Sequence, residues 1–228
     1  MIKNYLTEIF DFILPRFCPS CRNKLATAEK TVCNSCLSKI KLADPEFIKS
    51  EYQRNYESKG IIFGFVSHYI FEKDKELQQI IHALKYDRKF QIGIFLGENL
   101  GKHFKSKFKN WNINLIVPIP LHHLRKAERG FNQSYYIAKG ISAITAIPVN
   151  TKTLKRIRFT QSQTTLGMNE REINVEGAFT IKYKEDIKEK NILLIDDVIT
   201  TGATTNECGK VLLGSGARQI FAASIATV

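Results

Sequence analysis

Beyond residue 60 the chain alternates short apolar runs with stretches in which apolar residues return every three or four positions. Ile61 to Phe71 is apolar, aromatic and β-branched and predicts a strand, after which Leu77, Ile80, Ile81 and Leu84 recur at helical spacing. A second helix is predicted over Ile92 to Phe108. Leu115, Ile116 and Val117 read as a buried strand stopped by Pro118 and Pro120, and Tyr136, Ile137, Ile141 and Ile144 mark the helix that follows. The order then repeats, with a strand over Ile192 to Ile195, a helix marked by Cys208, Val211 and Leu212, and a closing strand over Ile220 to Ile225. Continuously apolar strands alternating with helices suit a parallel sheet covered on both faces, since each strand is then buried on both sides. The expected fold class is α/β.

The first sixty residues follow neither pattern. Residues 1–45 carry four cysteines, and the polar stretch from Asp44 to Lys59, with Pro45, Ser50, Gln53, Arg54, Asn55 and Ser58, reads as a linker over 46–60. Residues 61–228 form the body. With 228 residues and 43% hydrophobic composition the chain can bury one substantial core and a small appendage. The apolar stretch from Ile9 to Leu14 is broken by Asp11, is too short to span a bilayer and precedes no small-residue cleavage site. A cytoplasmic chain without membrane insertion is expected.

Cys18-x2-Cys21 and Cys33-x2-Cys36, eleven residues apart, fit one tetrahedral sulfur site in which each pair supplies two thiolates from a tight turn. All four positions are filled by protein, so the expected ion is a structural Zn2+ in a reducing compartment. A redox reading would use one pair and leave the other unexplained. Thirty-four Lys and Arg against 22 Asp and Glu give a net charge of +12, which would attract polyphosphates or nucleic acid. A general enrichment in Lys, Ile and Asn accounts for the charge equally well, and both explanations stand.

The segment Ile192-Leu-Leu-Ile-Asp196-Asp197-Val-Ile-Thr200-Thr201-Gly202-Ala203-Thr204-Thr205 carries the most chemistry. In a parallel sheet its two carboxylates emerge at the carboxyl end of a buried strand, where open α/β folds bind ligands. Small hydroxyl residues around Gly202 then lead into a helix, so that backbone N–H groups and threonine side chains can converge on an anion. Carboxylates that accept from ribose hydroxyls beside a cradle for a 5′-phosphate suit a phosphorylated sugar, whose pyrophosphate would bring Mg2+. Two alternatives remain at this point. A strand ending in two acids also occurs in P-loop ATPases, although Gly97-Glu-Asn-Leu-Gly101-Lys102-His103 has the wrong spacing for their phosphate loop and lacks its hydroxyl. The acids would also serve simply as helix caps, which does not explain the crowd of threonines.

Asp196 to Thr204 resembles the ribose-phosphate loop of type I phosphoribosyltransferases. Upstream, Val117-Pro-Ile-Pro-Leu-His122-His-Leu-Arg125-Lys-Ala-Glu-Arg129-Gly130-Phe131-Asn132-Gln133 reads as a basic strand-to-helix loop suited to pyrophosphate, because arginine offers forked donors. Its detailed string is similar to the ComF family of bacterial competence proteins and their gluconate-utilisation relatives. So is Arg156-x-Arg158-x-Thr160-x-x-Gln163-x-x-Leu166 followed by Arg171-x-x-Asn174-Val175-x-Gly177-Ala178-Phe179. His122, Arg125, Arg129, Gly130, Phe131, Asn132 and Gln133 match the pattern, whereas His123, Leu124 and Lys126 stand at variable positions that are often proline or arginine.

The resemblance spans Cys18 to Val228. It implies the type I phosphoribosyltransferase fold, a parallel sheet flanked by helices with a smaller hood, joined to a small zinc-ribbon-like amino-terminal domain. It implies binding of 5-phosphoribosyl-1-pyrophosphate and Mg2+, with Asp196 and Asp197 holding the ribose as catalytic groups. Thr200, Thr201, Gly202, Ala203 and Thr204 would hold the 5′-phosphate, and His122, Arg125 and Arg129 the pyrophosphate. Arg156, Arg158, Gln163 and Arg171 would lie on a flexible loop that closes over the site. A role in natural transformation follows, with single-stranded DNA and DNA-uptake or recombination proteins as partners. Two functions remain open: a transferase with an unspecified acceptor, and a non-catalytic module that senses the sugar donor and binds single-stranded DNA.

Overall fold

The computed structural model describes residues 15–159 and 173–228. Strand β1 (Ile62–Ile70) is followed by helices α3 (Glu76–Tyr86) and α4 (Phe90–Asn110), strand β2 (Leu115–Pro118), and helices α5 (His123–Arg129) and α6 (Gln133–Thr145). A short antiparallel hairpin, β3 (Leu154–Arg156) with β4 (Phe179–Ile181), precedes β5 (Asn191–Ile199), helix α7 (Ala203–Leu213) and β6 (Gln219–Thr227). Before them lie α1 (Asn34–Leu37), α2 (Pro45–Asn55) and a single 3-10 turn (Glu57–Lys59).

The main sheet has the order β1-β6-β5-β2 and every pairing in it is parallel. Strands β5 and β6 are buried along almost their whole length, which is why they read as unbroken apolar runs. The connection from β1 to β2 runs one way across the sheet, and that from β5 to β6 runs the other. With right-handed crossovers their helices therefore fall on opposite faces. The loops leaving adjacent strands β2 and β5 diverge accordingly, and the crevice between them is where such sheets bind ligands.

Helices α4 and α6 touch backbone to backbone. A Cβ on Gly97 would stand 2.1 Å from the Ile137 carbonyl oxygen, and one on Gly140 would stand 2.1 Å from the Ile94 oxygen. This contact fixes the start of α6, which carries Gln133 and Ser134 to the crevice.

Three sequence expectations need correction. Residues 46–60, expected as a linker, are mostly helix. The Asp44 side chain accepts from the Phe47 N–H at 2.8 Å, Pro45 occupies the first turn, and Ile48, Glu51 and Asn55 are buried. The polar residues that suggested a linker are in part buried ones: Glu51 accepts from Arg54, Asn55 and the Thr227 hydroxyl. The basic loop between β2 and α6 contains the helical turns of α5, started by His122 and ended by Gly130 at φ +79. Strand β5 continues past Ile195, because β6 pairs with it up to Ile199 although β2 stops opposite Ile195. The acids therefore sit in the last stretch of the strand. No described helix is long and apolar enough to cross a membrane.

Candidate functional site

Where β2 ends and β5 runs on, the strand has one open side, and Asp196 and Asp197 stand there. The Ser134 hydroxyl donates to Asp196 Oδ1 at 3.1 Å, and the Asp197 N–H reaches the same oxygen at 2.9 Å. Asp197 is buried, its Oδ1 accepts from the Val198 N–H at 2.7 Å, and its Oδ2 lies 3.0 Å from Lys85 Nζ. Two neighbouring carboxylates in a poorly solvated place cannot both ionise freely. Burial, and then the charge of Asp197, push the Asp196 carboxyl up to about 7, although Lys85, Ser134 and a backbone N–H oppose the rise.

The pair opens into a cavity of about 440 Å3 that also takes in Arg125, Arg129, Arg156 and Thr204. Each guanidinium rests on an aromatic ring: Arg125 over Phe159 at 5.8 Å, Arg129 over Tyr86 at 5.5 Å and Arg156 over Phe179 at 5.2 Å. Such contacts hold the planes of the forks without using their donors. Burial, opposed by Asp196 and assisted by Arg125, holds the Arg156 guanidinium below its usual range. With Lys85, four cations face two carboxylates, one of them proton-sharing near neutrality, so the cavity favours a polyanion.

Thr200 lines the same cavity, and the turn behind it is set from below. Gly202 has φ +67 and opens α7, and a Cβ there would meet the Tyr56 ring at 2.7 Å. The Asn55 side chain donates to the Thr200 carbonyl at 3.2 Å, and the Asn206 side chain donates to the Asn55 carbonyl at 3.0 Å. The end of α2 thus braces the threonine turn. The Thr201 hydroxyl is buried without a hydrogen-bond partner among the described residues.

Of the residues singled out from sequence, Asp196, Asp197, Thr200, Thr204, Arg125, Arg129 and Arg156 share the cavity. Thr201, Gly202 and Ala203 do not line it. His122 caps α5, accepting from the Leu124 N–H at 3.4 Å, and its ring lies 4.0 Å from that of His123. Burial and the neighbouring His123 and Arg156 lower its basicity. Arg158 donates to the carbonyls of Ile173, Asn174 and Glu176, tying the base of the hairpin. Gln163 and Arg171 lie outside the described residues. Sequence reading missed Lys85 and Ser134. Lys85 continues the buried Leu77 and Ile81 positions at four-residue spacing, and a cation on an apolar stripe was the available signal.

In the amino-terminal region the four sulfurs of Cys18, Cys21, Cys33 and Cys36 lie within 4.8 Å of one another. Cys21 and Cys33 are 3.7 Å apart, far beyond a disulfide and close to the edge of about 3.8 Å that bonds of about 2.3 Å give a tetrahedral zinc site. Burial raises the Cys18 thiol, but the backbone N–H groups of Cys33, Cys21 and Ser20 outweigh it and bring the group to about 7. The set fits a metal of tetrahedral preference.

No family model matches the chain. It is 28% identical over 220 residues to "Competence protein F" of Haemophilus influenzae, covering 89% of this chain and 93% of the relative. The chain is likewise similar to "Competence protein ComFC" of Streptococcus pneumoniae, at 29% identity over 92% of this chain and 80% of the other. "DNA utilization protein YhgH" of Salmonella typhimurium is 29% identical over 63% of this chain and 64% of its own length. Among solved structures, a purine phosphoribosyltransferase from Pyrococcus horikoshii matches 58% of this chain and 74% of its own, at 19% identity and a TM-score of 0.37.

Proposed function

We propose that the cavity binds 5-phosphoribosyl-1-pyrophosphate together with Mg2+ and that the chain transfers its phosphoribosyl group. The observation that carries this reading is the convergence of the acid pair, the threonine turn and three ring-backed arginines on one crevice at the carboxyl edge of a parallel sheet. Asp196 and Asp197 accept from the ribose 2′ and 3′ hydroxyls. Thr200 and Thr204, with the N–H groups opening α7, take the 5′-phosphate. Arg125, Arg129 and Arg156 face the pyrophosphate. Magnesium, when bound, neutralises the leaving group and favours its departure. The incoming nucleophile's lone pair forms the new bond to C1 as the C1–oxygen bond breaks, and the carboxylates stabilise the positive charge that develops on the sugar.

The cysteine cluster is proposed to hold one structural Zn2+, supported by the tetrahedral sulfur spacing. A role in DNA uptake is proposed from similarity to proteins named for competence and DNA utilization.

Calorimetry with the sugar donor and Mg2+ tests the binding step, and pyrophosphate release over a panel of acceptors tests transfer. Saturable binding that Asp196→Asn with Asp197→Asn weakens at least tenfold is expected. Binding without release under every acceptor would favour a sensor, and no heat from the donor would remove both readings.

A further inference from the structure

A second cavity, about 350 Å3, opens at the opposite edge of the sheet, where Asn191 begins β5, Gln219 begins β6 and Asn114 precedes β2. Its volume falls within the roughly 300–1,000 Å3 usual for small-molecule sites. The lining is unusual for a surface in this basic chain: side-chain amides predominate, with Arg218 beside them and Trp111 stacked on Phe221 at 4.7 Å, and it includes no carboxylate.

One of these amides has capacity left over. Asn191 is 7% exposed and donates from Nδ2 to the Trp111 carbonyl at 3.0 Å, which fixes which way its amide faces. Its Oδ1 is buried without a hydrogen-bond partner among the described residues. Asn114 accepts from the Asn191 N–H through its Oδ1 at 2.9 Å and also lines the cavity. Asn112 and Gln219 add two further amides. An amide offers a donor and an acceptor side by side, which is the pattern that reads the edge of a nucleobase. One cation stands on the wall, Arg218.

We infer that this cavity binds a nucleotide unit, its base edge against the amides of Asn112, Asn114, Asn191 and Gln219 and its phosphate at Arg218. The unit would come either from a free nucleoside monophosphate or from single-stranded nucleic acid, whose unpaired bases present the same edges. The inference stands on the lining of this cavity and is independent of the sugar-donor site across the sheet.

Trp111 is the sole tryptophan of the chain and lies in the wall, so its fluorescence reports occupancy of this cavity. Adenosine 5′-monophosphate and a single-stranded oligonucleotide are titrated in parallel, with ribose 5-phosphate as a control lacking the base. Saturable quenching by one or both base-containing probes, but not by the control, is expected. A midpoint much lower for the oligonucleotide assigns a strand, and the reverse assigns a free nucleotide. Arg218→Ala should raise the midpoint roughly tenfold, the usual weight of a charge-assisted hydrogen bond, with the melting temperature unchanged. Gln219→Ala is read instead if that variant melts early. No saturable quenching, equal quenching by ribose 5-phosphate, or indifference to both substitutions would overturn the inference. Donor binding measured by calorimetry would survive any of these results.

Discussion

Asp196 holds its proton up to about 7, against an ordinary value of 3.8, so between those limits the folded chain binds a proton that the unfolded chain releases. The stabilisation from this group is complete below the unfolded value and is lost as pH rises through about 7. Asp196→Asn should therefore flatten the decline in melting temperature between about pH 5 and pH 8 and melt higher than the parent at the alkaline end; thermal melts across that range check it. Lys85 works against the same cost by standing 3.0 Å from Asp197, with 22% of its side chain exposed. Lys85→Met would strand a buried carboxylate and should destabilise by about 2–3 kcal/mol at neutral pH, somewhat less than a fully buried pair costs. Adding Asp197→Asn should restore most of that loss in denaturant unfolding. If the donor needs the acid pair ionised, its binding near pH 6 should also release protons, seen as buffer-dependent heats.

At the scale of elements, the crossing of α4 and α6 holds Ser134 against Asp196. Gly140→Ala should destabilise by about 3 kcal/mol, the upper range for overpacking, because its Cβ would meet backbone and not a side chain that can turn aside. It should also weaken donor binding, because α6 carries Ser134 to Asp196. The order of strands and helices in the body was legible because β5 and β6 are buried on both faces and α3, α4 and α6 keep one apolar stripe each. Helix α2 was hidden because its inward face carries Glu51 and Asn55, polar residues satisfied by partners far along the chain. Asp44 followed by Pro45 was a start signal that outweighed them. The hairpin β3–β4 was missed for a different reason: three-residue strands are too short to show a period. The acid pair, the threonines and the arginines were legible by type and order. Lys85 was not, because its pairing with Asp197 exists only after the sheet has brought α3 to the end of β5.

Across the whole molecule, the cysteine cluster is attached to the body through backbone bonds. Ala43 N–H donates to the His68 carbonyl at 3.1 Å and Ile70 N–H to the Lys41 carbonyl at 2.9 Å, along the edge strand β1. Metal analysis should find one zinc per chain. Stripping it should raise hydrogen exchange across residues 16–43, since the folding of such sites draws roughly 10–16 kcal/mol from the metal. Exchange in β5 and β6 should change little. A smaller rise at the threonine turn is expected, passed on by α2. Tyr56, wedged beneath Gly202, makes the amino-terminal region part of the floor on which that turn rests. A fragment trimmed to begin at residue 61 would keep its sheet and lose the keel of its ligand turn. Any working excision has to begin no later than Asp44, and grafting this region onto a relative would transplant turn geometry along with the cysteines.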